Sequence, residues 1–298
     1  WRIVNAIDKQ TVITPHGLVA AAMLNIHRPR FSHEELMQVV NAYLRFAMHQ
    51  NAKLADTIVI NPDGAMDSAI DRYLSRKLLE KAPGDKDRFD VRADYMVNTS
   101  KRALLEYYKN NCISYFVPAA ITALTILKKD AFQFNAGDLH NEYQFLRDFF
   151  RYEFAYDQDR PPVLEVRKTV KSFIDDAMLM PHPSIPDSYQ ITASGFRRLK
   201  WFGAFLKPYF ESYRVVLLFI RNNRKENLEK KDKLKKIQNL GLLMIKNKEM
   251  DRVESVSKIN YANGLQFFSA SGISDYQDES HIAHFETIIL SYLNTLAA

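Results

Sequence analysis

Apolar residues recur at three- and four-residue spacing along most of this chain, the mark of amphipathic helices. Over residues 32–49 the apolar positions Leu36, Val39, Val40, Tyr43, Leu44 and Ala47 predict a helix. Ser32 stands at its N-cap and Glu35 at the capping-box position. A loop ending in Asn61-Pro62-Asp63-Gly64 leads to a second predicted helix over residues 65–80. A short hairpin signal follows: Leu78-Leu79-Glu80, a turn with Pro83-Gly84-Asp85, and Phe89-Asp90-Val91 returning. Residues 112–127 then run from Cys112 to Leu127 without a charge.

The same order recurs about a hundred residues later. A helix is predicted over residues 136–153, a loop with Asp159-Arg160-Pro161-Pro162, and a helix over residues 163–178. Met178-Leu179-Met180 and Tyr189-Gln190-Ile191 form a second hairpin around Pro181, Pro183 and Pro186. An apolar-aromatic segment from Leu199 to Ile220 closes this half. Ile70-Asp71 and Ile174-Asp175 fall in equivalent places. The fold class expected is mainly α, built from repeated winged-helix-like units (helix, helix, hairpin, helix) that share a helical core. The expected units are 1–130, 131–222, and a C-terminal set of helices at 223–298, a degenerate third copy.

The charge-free run must be hidden from water. It is shorter than the roughly 20 apolar residues that cross a bilayer, and Pro118 is expected to kink it. A core helix is the first expectation and an interfacial one the second. The counterpart from residue 201 to 220 is expected to share that core.

Composition agrees with a folded helical protein: 298 residues, 47% hydrophobic, 26% charged, with only 9 Gly. The single Cys112 excludes a disulfide framework and a cysteine-based zinc site, and inside an apolar run it reads as an inert thiol. The chain opens on Trp1 directly into an apolar pattern and is read as a piece of a longer protein. The formal net charge of +6 is concentrated. Residues 221–236 hold eight basic residues, Arg221, Arg224, Lys225, Lys230, Lys231, Lys233, Lys235 and Lys236, against Glu226, Glu229 and Asp232. Two readings of this segment compete. One is a solvated helix with pairs Glu226–Lys230 and Glu229–Lys233. The other is a surface for an acidic partner or an anionic membrane, aided by the adjacent aromatics from Trp201 to Phe219.

Three stretches carry a family resemblance. Residues 4–24 read VNAIDKQTVITPHGLVAAAML, residues 107–111 read YYKNN before the apolar run, and residues 149–163 read FFRYEFAYDQDRPPV. In that order and spacing they resemble segments of bacterial membrane-associated glycerol-3-phosphate acyltransferases, on the C-terminal side of the catalytic domain. The resemblance implies an enzyme that transfers a fatty acyl group from acyl carrier protein or coenzyme A to glycerol 3-phosphate. It implies as partners the catalytic domain, an anionic phospholipid surface and acyl carrier protein. It implies peripheral attachment at the cytoplasmic face of a bacterial inner membrane. A dihydroxyacetone-phosphate acyltransferase is the related alternative.

The family's chemistry rests on a His-x4-Asp motif, with the His as general base. The one such spacing here is His182 to Asp187, in a Pro-rich turn. It reads as an exposed turn, so no catalytic residue is assigned and the chain is expected to be the non-catalytic C-terminal region. No Gly-rich phosphate loop, cofactor or metal site is expected; His281 and His284 lack a clear third ligand. Asp157, Asp159 and Arg160 read as loop capping. Asn110 and Asn111 are expected to satisfy buried backbone groups. Nucleic-acid binding is not expected, because the second helix of each unit carries no net positive charge (Arg72, Arg76 and Lys77 against Asp67, Asp71 and Glu80; Arg167, Lys168 and Lys171 against Glu165, Asp175 and Asp176).

Overall fold

The structure, a computed structural model, describes residues 10–82, 94–129, 131–156, 160–222, 229–273 and 279–297. The predicted turn at Pro83-Gly84-Asp85, the return at Phe89-Asp90-Val91, residues Asp157 and Asp159, and the basic residues Arg224 and Lys225 lie outside them. The fold is mainly α, with two small three-stranded sheets.

Helix α1 (Pro15–Asn25) leads in, capped by the Thr14 hydroxyl, which accepts from Gly17 N–H. The first unit then runs β1 (Arg30–Phe31), α2 (His33–His49), α3 (Asp56–Ile60), α4 (Pro62–Ser75), β2 (Leu79–Lys81), β3 (Tyr95–Val97), α5 (Arg102–Asn110) and α6 (Ile113–Lys128). The second runs β4 (Gln133–Asn135), α7 (Leu139–Phe149), α8 (Pro162–Asp175), β5 (Leu179–Pro181), β6 (Ser188–Ile191), α9 (Ala193–Gly203) and α10 (Lys207–Asn222). In each sheet the third strand lies in the middle and pairs antiparallel with both others. The C-terminal part holds α11 (Lys230–Lys246), α12 (Lys258–Ala270) and α13 (Glu279–Ala297), with no strand among its described residues.

The repeat is visible in detail at the ends of α4 and α8. Lys77 (φ 55°) and Ala177 (φ 54°) take the left-handed conformation one residue beyond each helix cap. Lys77 N–H bonds Leu74 O and Leu78 N–H bonds Tyr73 O, both at 2.9 Å. Ala177 N–H to Ile174 O and Met178 N–H to Phe173 O repeat the pattern at 2.8 Å. This paired closure stops a helix and turns the chain into a strand. It sets the register between units at one hundred residues, so Ile70 corresponds to Val170. Ile174-Asp175 lies one helical turn beyond the position first matched to Ile70-Asp71, on the same face.

Other boundaries move for local reasons. α4 starts at Pro62, earlier than the periodicity suggests, because the Asn61 side chain accepts from Gly64 N–H and Pro62 suits the first helical turn. It ends at Ser75, since Leu78 and Leu79 are buried by the strand. Among the described residues the return strand is Tyr95–Val97. Residues 136–138 form a 3-10 turn before α7, where a continuous helix was expected.

The charge-free run is α6, and it is core: twelve of its residues, from Ile113 to Leu127, are buried. Pro118 lies inside the helix, while the sharp break falls before it, where Thr99–Asn110 and Ile113–Lys128 meet at 98°. No single helix among the described residues is long and apolar enough to cross a membrane. The shared core is present. Phe116 stacks on Phe205 with centroids 5.0 Å apart, and a Cβ on Gly203 would meet Leu124 at 3.1 Å. Tyr43 ties the units together: its hydroxyl accepts from Asn25 Nδ2 (2.9 Å) and donates to Trp201 O (2.7 Å). Buried apolar residues from Ile13 to Leu296 form one continuous cluster.

The C-terminal helices join this core through polar contacts as well. Arg102 donates to both carboxylate oxygens of buried Glu254 (2.8 and 2.7 Å), and Arg252 Nη1 donates to Leu24 O. A planar fork on a carboxylate is a strong, geometry-specific contact. It fastens the segment around Glu254 to α5 and to the end of α1.

Candidate functional site

The three family-like stretches, far apart in sequence, meet in space. α1 lies against α5 so closely that a Cβ on Gly17 would stand 3.2 Å from Cys112 Sγ and 3.4 Å from Tyr108 O. Only a residue without a side chain fits there unchanged. The Tyr73 hydroxyl donates to His16 O at 2.7 Å, joining α4 to the same place. On the other side of α5, Lys109 is buried. Its Nζ lies 2.7 Å from Glu106 Oε1 and 5.9 Å from the ring centroids of Phe205 and Tyr209. Tyr209 in turn packs edge-on to Phe154, centroids 4.9 Å apart, in the third stretch. The first two stretches therefore touch directly and the third reaches them through Tyr209.

Two clefts open at these stretches. The first, of about 430 Å³, is lined by His16, Ser68, Arg72, Arg76 and Tyr108. Ser68 and Arg72 on α4 and Arg76 at its C-cap stand four residues apart and so share one stripe. Arg76 Nη1 donates to the Tyr108 hydroxyl at 3.2 Å. His16, half-buried, has its pKa lowered by burial first and then by Arg72 and Arg76. The rings of His16 and Tyr108 lie 6.1 Å apart, and those of His16 and Tyr73 meet edge-on at 5.6 Å. Among the described residues no carboxylate lines the cleft. The acids of α4 lie on a neighbouring stripe: Asp67 is 3.8 Å from His33 Nε2, and Asp67 and Asp71 raise the pKa of Tyr95 after the effects of burial and Asp94.

The second cleft, of about 520 Å³, lies beside the third stretch, with Arg147, Arg151, Tyr156 and Arg160 on its wall. Arg147 lies over the Tyr156 ring at 5.2 Å and donates to Arg160 O at 3.2 Å. Arg160 also sits 3.5 Å from Glu165. Arg147 and Arg160 are thus engaged locally, and Arg151 lies over the rings of Tyr152 and Phe267 at 5.0 and 5.6 Å.

The basic segment is split by the structure. Arg221 belongs to α10 and donates to Glu286 Oε2 at 2.5 Å, so it is neutralised inside the fold. Lys230, Lys231, Lys235 and Lys236 are exposed on the first half of α11, and Lys233 is half-buried. Glu229 and Lys233 share a backbone hydrogen bond (2.9 Å) but, among the described residues, no ion pair, contrary to the pairing expected from their spacing. The aromatics from Trp201 to Phe219 are not available to a membrane. Trp201, Phe202, Phe205, Tyr209, Phe210, Tyr213 and Phe219 are all buried.

His182 and Asp187 are in a turn. His182 Nδ1 accepts from Ser184 N–H (3.2 Å) and Ile185 N–H (3.1 Å), while Asp187 takes φ 55° in the hairpin. A ring nitrogen occupied by the turn is not being oriented by a carboxylate. Among the described residues no group of three or more His, Cys, Asp or Glu is placed to hold a metal ion. Asn110 and Asn111 are exposed and do not serve a buried backbone; Lys109 is the polar residue that turns inward, because α5 ends there and its neighbours face solvent. Cys112 is buried, and burial pushes its thiol up to about 12, which keeps it protonated and inert.

Spacing and charge counts missed the cleft around Arg72. The signal was there as an i, i+4 arginine pair, but summing charge over the whole of α4 cancelled it against acids on another stripe.

A comparison with curated proteins finds no match. A family model described as glycerol-3-phosphate acyltransferase C-terminal region matches residues 1–277, nearly the whole chain and all three converging stretches. The chain belongs to the glycerol-3-phosphate acyltransferase C-terminal region family.

Proposed function

We propose that this chain is the non-catalytic C-terminal region of a glycerol-3-phosphate 1-O-acyltransferase, bracing the catalytic domain and helping to seat it on an anionic membrane surface. The observation that carries the reading is the family match over residues 1–277, together with His182 being occupied by its own turn. The reaction would pass an acyl group from acyl carrier protein or coenzyme A to glycerol 3-phosphate, on residues outside this chain. The order strand, helix, helix, hairpin, helix, with the short α3 added in the first unit, supports regarding them as winged-helix-like scaffolds used for packing.

Membrane seating is supported by α11. Lys231 and Lys235 share a face with Leu242, and Lys236 with Leu243, and the two leucines are 52% and 50% exposed. Cations near an anionic surface contribute about 1 kcal/mol each, and exposed leucines add apolar contact. This replaces the buried aromatics as the apolar part of the surface.

The test compares the intact enzyme with this chain alone. Acylation of glycerol 3-phosphate is expected only from the intact enzyme, and His182→Ala in that enzyme should leave the rate unchanged. Activity in the isolated chain that His182→Ala abolishes would overturn the reading. For the membrane part, changing Lys230, Lys231, Lys233, Lys235 and Lys236 to Gln should reduce sedimentation with anionic vesicles. Unchanged sedimentation would remove α11 from the account.

A further inference from the structure

The cleft between α1, α4 and α5 concentrates donors, and no carboxylate is among its described lining residues. Arg72 is exposed, lies four residues from Arg76 on one stripe, and among the described residues has no carboxylate partner. Arg76 is held in place by the Tyr108 hydroxyl at 3.2 Å. By accepting that bond the phenol leaves its own proton free to point elsewhere. Ser68 adds a hydroxyl and His16 an imidazole. Two guanidinium groups offer paired N–H donors to the oxygens of an oxyanion. The floor is rigid: Tyr73 is buried and bonded to His16 O, and Gly17 lets α1 close against α5.

We propose that this cleft is a binding site for a phosphate monoester group, held by Arg72 and Arg76 with Ser68, Tyr108 and His16 completing the donor set. A carboxylate has two oxygens in one plane, whereas a phosphate monoester has three terminal oxygens and a higher charge. Donors arriving from three separate helices match the second shape better than the first. A soluble ester and a lipid headgroup present this group with the same chemistry.

The site is tested with inorganic phosphate titrated into the full chain at constant ionic strength, following the arginine side-chain N–H signals by NMR. Saturable shifts are expected for Arg72 and Arg76. Arg72→Ala combined with Arg76→Ala should weaken binding about tenfold or more, and Arg72→Lys, which keeps the charge but loses the fork, should fall between. Arg72→Ala alone guards against a folding defect, since this side chain is exposed and supports no other described group. Phosphatidylcholine vesicles with and without phosphatidic acid separate the sources. Sedimentation that requires phosphatidic acid and is lost in the double variant assigns the headgroup. Saturable phosphate binding with no such sedimentation assigns a soluble ester. Non-saturating shifts that are the same in wild type and double variant would overturn the proposal. So would displacement of phosphate by a DNA duplex whose own binding is lost in the double variant, which would reassign the cleft to a nucleic-acid backbone.

Discussion

α4 and α8 are the same helix used in two ways. Both are entered through proline, both end in the same left-handed closure, and both are followed by the outer strand of a hairpin. On α4 the stripe Ser68, Arg72, Arg76 lines an open cationic cleft. One hundred residues on, the same stripe is Lys168, Ser172 and Asp176, and it is closed by the first unit. Gln50 Nε2 donates to Ser172 Oγ at 2.7 Å, and Arg45 Nε donates to Asp176 Oδ1 at 2.8 Å. Asp176 is buried, and Arg198 Nη1 donates to its carbonyl at 2.6 Å. The backbone plan fixes where the stripe is; the neighbour that packs against it decides whether it is interface or site.

The comparison is broken most strongly where the units differ in backbone. Thr192 and Asn98 occupy matching places, each donating its N–H to the carbonyl of Met178 or Leu78 at 3.0 Å. The second unit then brings Gly195 against Met178 O, where an added Cβ would stand 2.0 Å away, while the first unit has a 3-10 turn at Thr99–Lys101. Gly195→Ala is expected to destabilise the fold by about 3 kcal/mol, near the top of the range for overpacking. A lower urea midpoint with unchanged slope is the result that checks it.

A pH effect of similar size is expected from the stretch after α7, which half-buries Glu153, whereas the stretch after α2 leaves Asn51 exposed. Glu153 accepts from Asn263 Nδ2 at 2.9 Å, and burial pushes its carboxyl up to about 7 from an ordinary 4.5. The folded state therefore keeps a proton that the unfolded chain loses. The stability this confers is complete below about pH 4.5 and is lost as pH rises through about 7, on the order of 2–3 kcal/mol in all. Glu211, buried beside Ser255 and Asp251, is raised in the same direction. Unfolding free energies measured between pH 5 and 8 should fall with pH, and Glu153→Gln should flatten that slope in part, leaving the share carried by Glu211.

Asp176→Ala tests the closed stripe directly. It removes a buried carboxylate from Arg45, which is half exposed, and from Arg198, which is not. A loss of about 2 kcal/mol is expected, reduced from the full value of a buried pair because Arg45 can turn to solvent. Arg72→Ala on the open stripe should change stability by less than about 0.5 kcal/mol. Equal losses at the two positions would erase the distinction between site and interface.

The smallest effect tests what the units share. Lys77→Gly and Ala177→Gly should each stabilise the protein by about 0.5–1 kcal/mol, because glycine enters the left-handed region without the clash of a side chain. Similar shifts in thermal midpoint at both sites are expected; a gain at one alone would show that the closures differ in energy.

Much of this was legible beforehand because it depends on neighbours in sequence. The Ser32 cap on Glu35 N–H, at 3.0 Å, follows from a local motif. The burial of α6 follows from an uncharged run that water disfavours. The two first strands, Arg30–Phe31 and Gln133–Asn135, were not legible, since two or three residues carry no measurable alternation and exist only because the third strand lies beside them. Nor was the inward turn of Lys109, a charged residue that local pattern places on a surface.

Periodicity and caps thus determined the helices, the repeated plan, the core segments and, through three short stretches, the family. These are properties of hydrophobic spacing and local hydrogen bonding, which act within a turn or two of chain. The tertiary structure alone decided that the aromatics from Trp201 to Phe219 are core, that Arg221 is neutralised by Glu286, and that Arg72 and Arg76 open onto a cleft while Asp176 is sealed. Each of those outcomes depends on which distant surface arrives to exclude water or to supply a partner, and residue spacing along one helix does not encode that.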